Sequence, residues 1–152
     1  MAKRKGSKPF QISIKKVKQL SFGIDESVEV PDADDLNVLI EQNLSFSTKD
    51  DILFLLLNIT FSSKSTDRIL MNGIVQNIFV IKDLKRMVDP KKPDVINIPD
   101  NILSTLLSIS IAHSRALLAQ SAMGTAFQDI YIPLVNPEQV VKELFNQDVY
   151  GI

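Results

Sequence analysis

The segment ILFLLLNITF, residues 52–61, constrains the fold more than any other. Successive residues of a strand face opposite ways. The odd set is Leu53, Leu55, Leu57, Ile59 and Phe61; the even set begins Ile52, Phe54 and Leu56 before turning polar at Asn58 and Thr60. An antiparallel sheet with helices on one side ordinarily offers water a polar second face. Burying one such side chain is worth about 1.5–3 kcal/mol, so three left in water forfeit several kcal/mol. A second subunit or an apolar ligand is therefore expected over that face.

The flanking segments read as partner strands. Phe10, Ile12 and Ile14 alternate, then Leu20 and Phe22, while Lys15 to Lys18 break the alternation and predict a bulge or kink near Lys16. The acidic stretch 23–35, with Pro31, is too long for a tight hairpin. Leu36, Val38, Ile40, Leu44 and Phe46 alternate as a second strand, and 69–81 forms a fourth. In that strand Gly73 reads as a point of close packing rather than of ligand approach.

Residues 82–97 read as a polar linker, followed by a long helix from about Pro99 to Met123. Proline and Asp100 suit its start and Gly124 its stop. Its apolar residues spread nearly all round, with Ile102, Leu106, Ile109, His113 and Leu117 along one seam and small residues between. A helix of this kind is buried nearly all round, which in a chain of 152 residues calls for a partner chain. Residues 127–135 read as extended. Asn136, Pro137 and Gln139 then form a helix start ahead of the stripe Val140, Val141, Leu144 and Phe145. Four strands followed by a long and a short helix give an α+β domain with a four-stranded antiparallel sheet. The divisions are a basic N-terminus over 1–9, a domain over 10–147 and a short end over 148–152.

With 45% hydrophobic residues and a net charge of −1, the chain lacks the basic field that would attract nucleic acid or an anionic membrane. Lys3, Arg4, Lys5 and Lys8 read as a solvated end. The absence of cysteine excludes disulfides and thiolate metal sites. No secretory signal and no apolar run of membrane-spanning length are expected, so the chain reads as cytoplasmic with no stable membrane insertion. No phosphate loop or metal motif appears, and no cofactor is implied. The acidic run Asp25 to Asp35 reads as a solvated loop. His113, the single histidine, lies beside Ser114, but helical neighbours point about 100° apart and do not form a nucleophile–base pair. An interface histidine and no catalytic residue is the expectation.

The chain resembles the SecB family of export chaperones over residues 10 to about 147. The resemblance rests on FQI…KQLSF, ILFLLLNITF, ILMNGIVQNIFVI, the NILSTLLSISIAHSRALLAQSAMGTAF helix with its Arg115, and IPLVNPEQV, in that order. It implies a dimer of dimers with the long helices between two sheets, and ATP-independent binding of unfolded polypeptide in apolar grooves. The expected groove residues are Phe22, Val28, Val30, Leu36, Phe46, Phe127 and Tyr131. The expected interface residues are Ile12, Ile14, Leu106, Ile109, His113 and Leu117. The acidic groups on which the family docks the SecA motor align with Gln19, Gly23 and Asn72, and the chain stops at Ile152. Both features argue against SecA and leave room for another client, such as an antitoxin. The rival reading is a hot-dog-type acyl thioesterase, but that fold places its helix among the first strands.

Overall fold

The computed structural model describes residues 10–144 and 149–150. The basic cluster at 3–8 and the expected stripe residue Phe145 lie outside the described residues. Strands β1 (Ile12–Ile24), β2 (Leu36–Ser47), β3 (Ile52–Ser63) and β4 (Ile69–Ile81) form one antiparallel sheet in the order β1-β4-β3-β2. The alternation in β3 and β4 fixes their register: Leu53, Leu55, Leu57, Ile59 and Phe61 are fully buried, as are Met71, Val75, Phe79 and Ile81. In β1 the register shifts between Ile14 and Lys16, where the lysines interrupt the alternation, and again between Gln19 and Ser21. Each bulge reverses which side chains face inward. Val17, Phe22 and Ile24 consequently pack on the core, while Leu20 is 51% exposed.

Helix α1 (Asp100–Ala122) lies across this inner face, chiefly over β4, β3 and β1. Its sheet-facing seam is Leu103, Leu107, Ser110, Ile111, Ser114, Leu118 and Ala122. Two serines fit there because each hydroxyl donates to a carbonyl one turn back, Ser110 Oγ to Leu106 at 2.8 Å and Ser114 Oγ to Ser110 at 2.8 Å. Small residues let the helix settle close. At Gly73 the space a Cβ would fill is taken by Leu118, whose Cδ2 would lie 2.7 Å away. Gly124 ends the helix at φ +82°, the left-handed conformation of a C′ glycine. By length and composition α1 is apolar enough to cross a membrane, which corrects the expectation that no such stretch exists. Its seam of core contacts, however, is that of a helix packed on a sheet.

Residues 82–97 are more ordered than a polar linker. A single 3₁₀ turn (Leu84–Met87) leads into β5 (Val88–Asp89) and β6 (Lys92–Ile96), with Leu84, Met87, Val95 and Ile96 buried. The short helix α2 (Pro137–Leu144) packs on α1. Its first free amides, Glu138 N–H and Gln139 N–H, donate to Asn136 Oδ1 at 3.0 and 3.5 Å, the expected cap. Strand β7 (Val149–Tyr150), within the end set apart at 148–152, pairs with β6 and lies against β2. The stretch 127–135, expected to be extended throughout, begins as a turn through Asp129.

Candidate functional site

The inner face of the sheet is not evenly covered. Along β2, Leu44 and Phe46 are buried, whereas Leu36, Val38 and Ile40 on the same face are only half-buried and pack at the margin of the core. On β1, at the opposite edge, Phe22 and Ile24 have the same standing. They share rows with β2 through the sheet: Phe22 with Gly73, Ile59 and Ile40, and Ile24 with Met71, Phe61 and Val38. The β1–β2 crossover spans this end of the sheet. Its Val28 is half-buried against the core and its Val30 is 41% exposed.

The crossover is fastened at both ends by carboxylates. At one end Asp25 accepts from the hydroxyl and backbone N–H of Ser27 and from Arg68 Nη2 at 3.0 Å. At the other, Asp35 accepts from Ser63 Oγ at 2.6 Å and from the backbone N–H of Ser65 at 2.8 Å. These donors, Ser27 and Ser63 foremost, hold both carboxyls below the ordinary value of 3.8. The acidic run was read as solvated loop; two of its members are instead the fastenings of the crossover. Asp25 has a local partner in Ser27, but the contacts that tie the crossover to the rest of the fold, Arg68 for Asp25 and Ser63 and Ser65 for Asp35, lie 28 to 43 residues away and leave no mark in the spacing.

A second candidate area, of mixed polar and apolar lining, lies beyond the far half of α1. Ala116, Ala119, Gln120, Met123, Gln128, Asp129 and Tyr131 line a shallow depression of about 350 Å³. The segment that walls it is tied to α1 by Arg115, whose Nε donates to the Ile132 carbonyl at 2.9 Å and Nη2 to that of Pro133 at 3.0 Å. This fixes Ile130 and Ile132 inward and leaves Tyr131 and Leu134 outward, 55% and 93% exposed.

Of the expected groove residues, Phe22, Val28 and Leu36 therefore sit at the crossover margin, Val30 is exposed on the crossover itself and Tyr131 lines the helix depression. Phe46 and Phe127 need correction. They are 3% and 0% exposed because each faces into the core, Phe46 paired with Leu53 on the inner face. Val38 and Ile40 belong to the apolar margin, and Met123 to the mixed depression, beyond the expected groove residues; the alternation that reveals an inward face does not reveal which part of it stays uncovered. Of the expected interface residues, Ile14 is 49% exposed on the edge strand β1, and Ile12, Ile109 and Leu117 are half-buried. Leu106 is fully buried within its own chain, because the seam on the sheet runs through 103, 107 and 114 and takes Leu106 with it. His113, half-buried, does not simply face outward: its Nδ1 donates to Asn77 Oδ1 on β4 at 2.7 Å. Ser114 turns its hydroxyl to its own helix, so the two do not form a catalytic pair. Among the described residues no three His, Asp or Glu side chains gather as a metal site.

A four-stranded antiparallel sheet in the order β1-β4-β3-β2, followed by a long helix on its inner face and a short helix on that, is the SecB-like fold. The placement of α1 after all four strands sets it apart from the hot-dog arrangement. The chain matches the Mycobacterium tuberculosis Rv1957 SecB-like chaperone, solved in complex with a ChAD peptide from the Rv1956 HigA1 antitoxin. The match has a TM-score of 0.56 over 82% of this chain and 90% of that one. Sequence identity is 8%, so the likeness is one of fold. No family model matches the sequence, and no curated protein does.

Proposed function

We propose that this chain is a holdase chaperone that captures extended, apolar stretches of other polypeptides and releases them without ATP. The observation that carries the reading is the incomplete cover of the inner face on a SecB-like scaffold. Side chains that belong to a core by register, Phe22, Val38 and Ile40 among them, stay half-open beneath a crossover held at both ends. Apolar contact needs no sequence readout, so such a surface accepts many clients. Aromatic side chains such as Tyr131 give large contact area at small entropy cost. Several weak sites on one homotetramer, assembled as a dimer of dimers in the cytoplasm, would add through effective concentration.

A dedicated client such as an antitoxin fits better than general export. The structural neighbour was solved with a peptide from an antitoxin, and Gln19, Gly23 and Asn72 stand where acidic docking groups for SecA are expected.

The test is suppression of light scattering by a chemically denatured client at equimolar chaperone. Val30→Asp and Tyr131→Asp, both at exposed positions, are expected to weaken capture by about tenfold each, about 1.4 kcal/mol. Leu39→Asp, equally exposed on the other face of the sheet, is expected to leave it unchanged. Equal effects of all three would refute the assignment of the site to the inner face.

A further inference from the structure

Helix α1 covers one side of the sheet, and the apolar character of β3 and β4 continues through to the other. On that outer face Val80 stands beside Ile52 and Ile78 beside Phe54, with Leu56 and Ile74 in the next rows. Ile52 and Ile78 are closed off at 8% exposure, whereas Phe54, Leu56, Ile74 and Val80 remain half-open. In the proposed dimer of dimers, with the long helices between two sheets, this face would point outward and assembly would leave the strip in water. The charge beside it is of one sign. Lys16 and Lys18 on β1 end the Ile78 and Gln76 rows, both are exposed, and neither makes an ion pair among the described residues. At the β2 edge the same rows end in the uncharged Ser45 and Asn43. Glu41, one row further on, accepts from Asn58 Nδ2 at 3.3 Å, and the turn beyond Ile52 carries both signs, Lys49 and Asp50. Gly23 and Asn72, where the family's acidic docking groups align, stand in the Thr60 row toward the other end of the strands.

We propose that this strip docks an acidic amphipathic helix of a partner protein. The helix follows from the position of β3 and β4 inside the sheet. Their backbone N–H and C=O groups are already spent on neighbouring strands, so an extended segment laid on this face finds no ladder to join. A helix satisfies its own backbone and offers an apolar stripe, as α1 does on the opposite face. From Ile52 to Asn58 the strip runs about 20 Å along β3, which matches a helix of about 13 residues. The acidic character follows from the lysines. Lys16 and Lys18 are one two-residue repeat apart, about 6.8 Å along the strand. Carboxylates at i and i+4 of a helix lie about 6 Å apart along its axis. A helix lying along β4, its stripe on Phe54, Ile78 and Val80, therefore sets two acidic side chains against both lysines at once. Such rim charges select the partner and speed its arrival, while the apolar strip holds it. In sequence four further cations, Lys3, Arg4, Lys5 and Lys8, precede β1 and favour the same sign of partner. The inner margin, with its extended clients, is a separate surface.

The probe is a synthetic helix of about 13 residues with a leucine stripe and, on one flank, glutamates at i and i+4. Its control is the same peptide with lysines in place of the glutamates. Binding to the full chain is read by fluorescence anisotropy at about 0.1 M salt. The acidic helix should bind about tenfold more tightly than the basic one. Lys16→Glu/Lys18→Glu, folded by circular dichroism, should invert that order, because the glutamates then meet like charge and the lysines opposite charge. Phe54→Ser leaves the charges in place and should weaken the acidic helix about tenfold while its preference over the basic one persists. Suppression of client scattering should be equal in the parent and the charge-reversed protein. Equal affinity for the two helices, or a preference that survives the charge reversal, overturns the proposal. Displacement of the bound helix by an extended apolar peptide overturns it in favour of the inner client surface. Binding of phosphatidylserine vesicles that needs both lysines, without any preference between the helices, overturns it in favour of a membrane. Altered sedimentation of the charge-reversed protein, again without a helix preference, overturns it in favour of a second copy.

Discussion

Asn77 is fully buried on β4, and its side-chain Nδ2 has no hydrogen-bond partner among the described residues. The contact with His113 satisfies its other end. A buried polar group stripped of its partner costs about 1–3 kcal/mol, whereas removing both partners is close to neutral. His113→Leu is therefore expected to lower stability by that amount, a fall in Tm of about 2–10 °C. Adding Asn77→Leu should recover most of the loss, since no polar atom is then stranded between α1 and the sheet. Urea unfolding of the single and double variants measures this directly; a double variant no more stable than the single one would show that the stranded amide is not the cause. The single histidine thus has a packing role that its sequence context does not disclose. Its partner lies 36 residues away on a strand, at a position where the surrounding alternation predicts an apolar residue.

At the scale of elements, legibility follows how each segment is stabilised. Strands β3 and β4 bury a continuous odd-numbered set, so periodicity reveals them, and the lysines of β1 reveal its first bulge because they interrupt that period. The inward face of α1 was misjudged for the opposite reason. Leucines surround the helix, and the residues that settle closest to the sheet include Ser110 and Ser114, which a hydrophobic pattern counts as polar. The β5–β6 hairpin and β7 were missed because strands of two to five residues carry too little period to read. The crossover is legible as a long connection, yet its ties to the rest of the fold, Arg68 for Asp25 and Ser63 and Ser65 for Asp35, depend on residues distant in sequence. Their carboxyls are depressed in the folded chain, so their contribution is complete above the ordinary value of 3.8 and is lost as pH falls through their lower folded values. Hydrogen exchange in residues 25–35 should therefore rise as pH is lowered below 3.8, beyond the intrinsic pH dependence of exchange. In Asp25→Asn/Asp35→Asn the segment should exchange faster at neutral pH, with the acid step gone. An unchanged acid step would place the titrating groups elsewhere.

For the whole molecule, the proposed function predicts how association with a client responds to solution conditions. Under the proposed function, client capture at the inner margin would remove apolar surface from water, and its thermodynamic mark would be a negative heat-capacity change. The groups at that margin, Phe22, Val28, Val38 and Ile40, are uncharged, and the net charge of the chain is −1, so long-range attraction adds little. Titration calorimetry with an extended apolar peptide should give a negative heat-capacity change and an affinity that varies less than about threefold between roughly 0.05 M and 0.5 M salt, where the Debye length falls severalfold. A steep loss of affinity with salt would mean that charged residues outside the margin capture the client. The same titration on Lys18→Glu tests the location of the surface: Lys18 lies on the side of the sheet away from α1, so the peptide affinity should be unchanged, and a loss would place part of the client surface on the outer face.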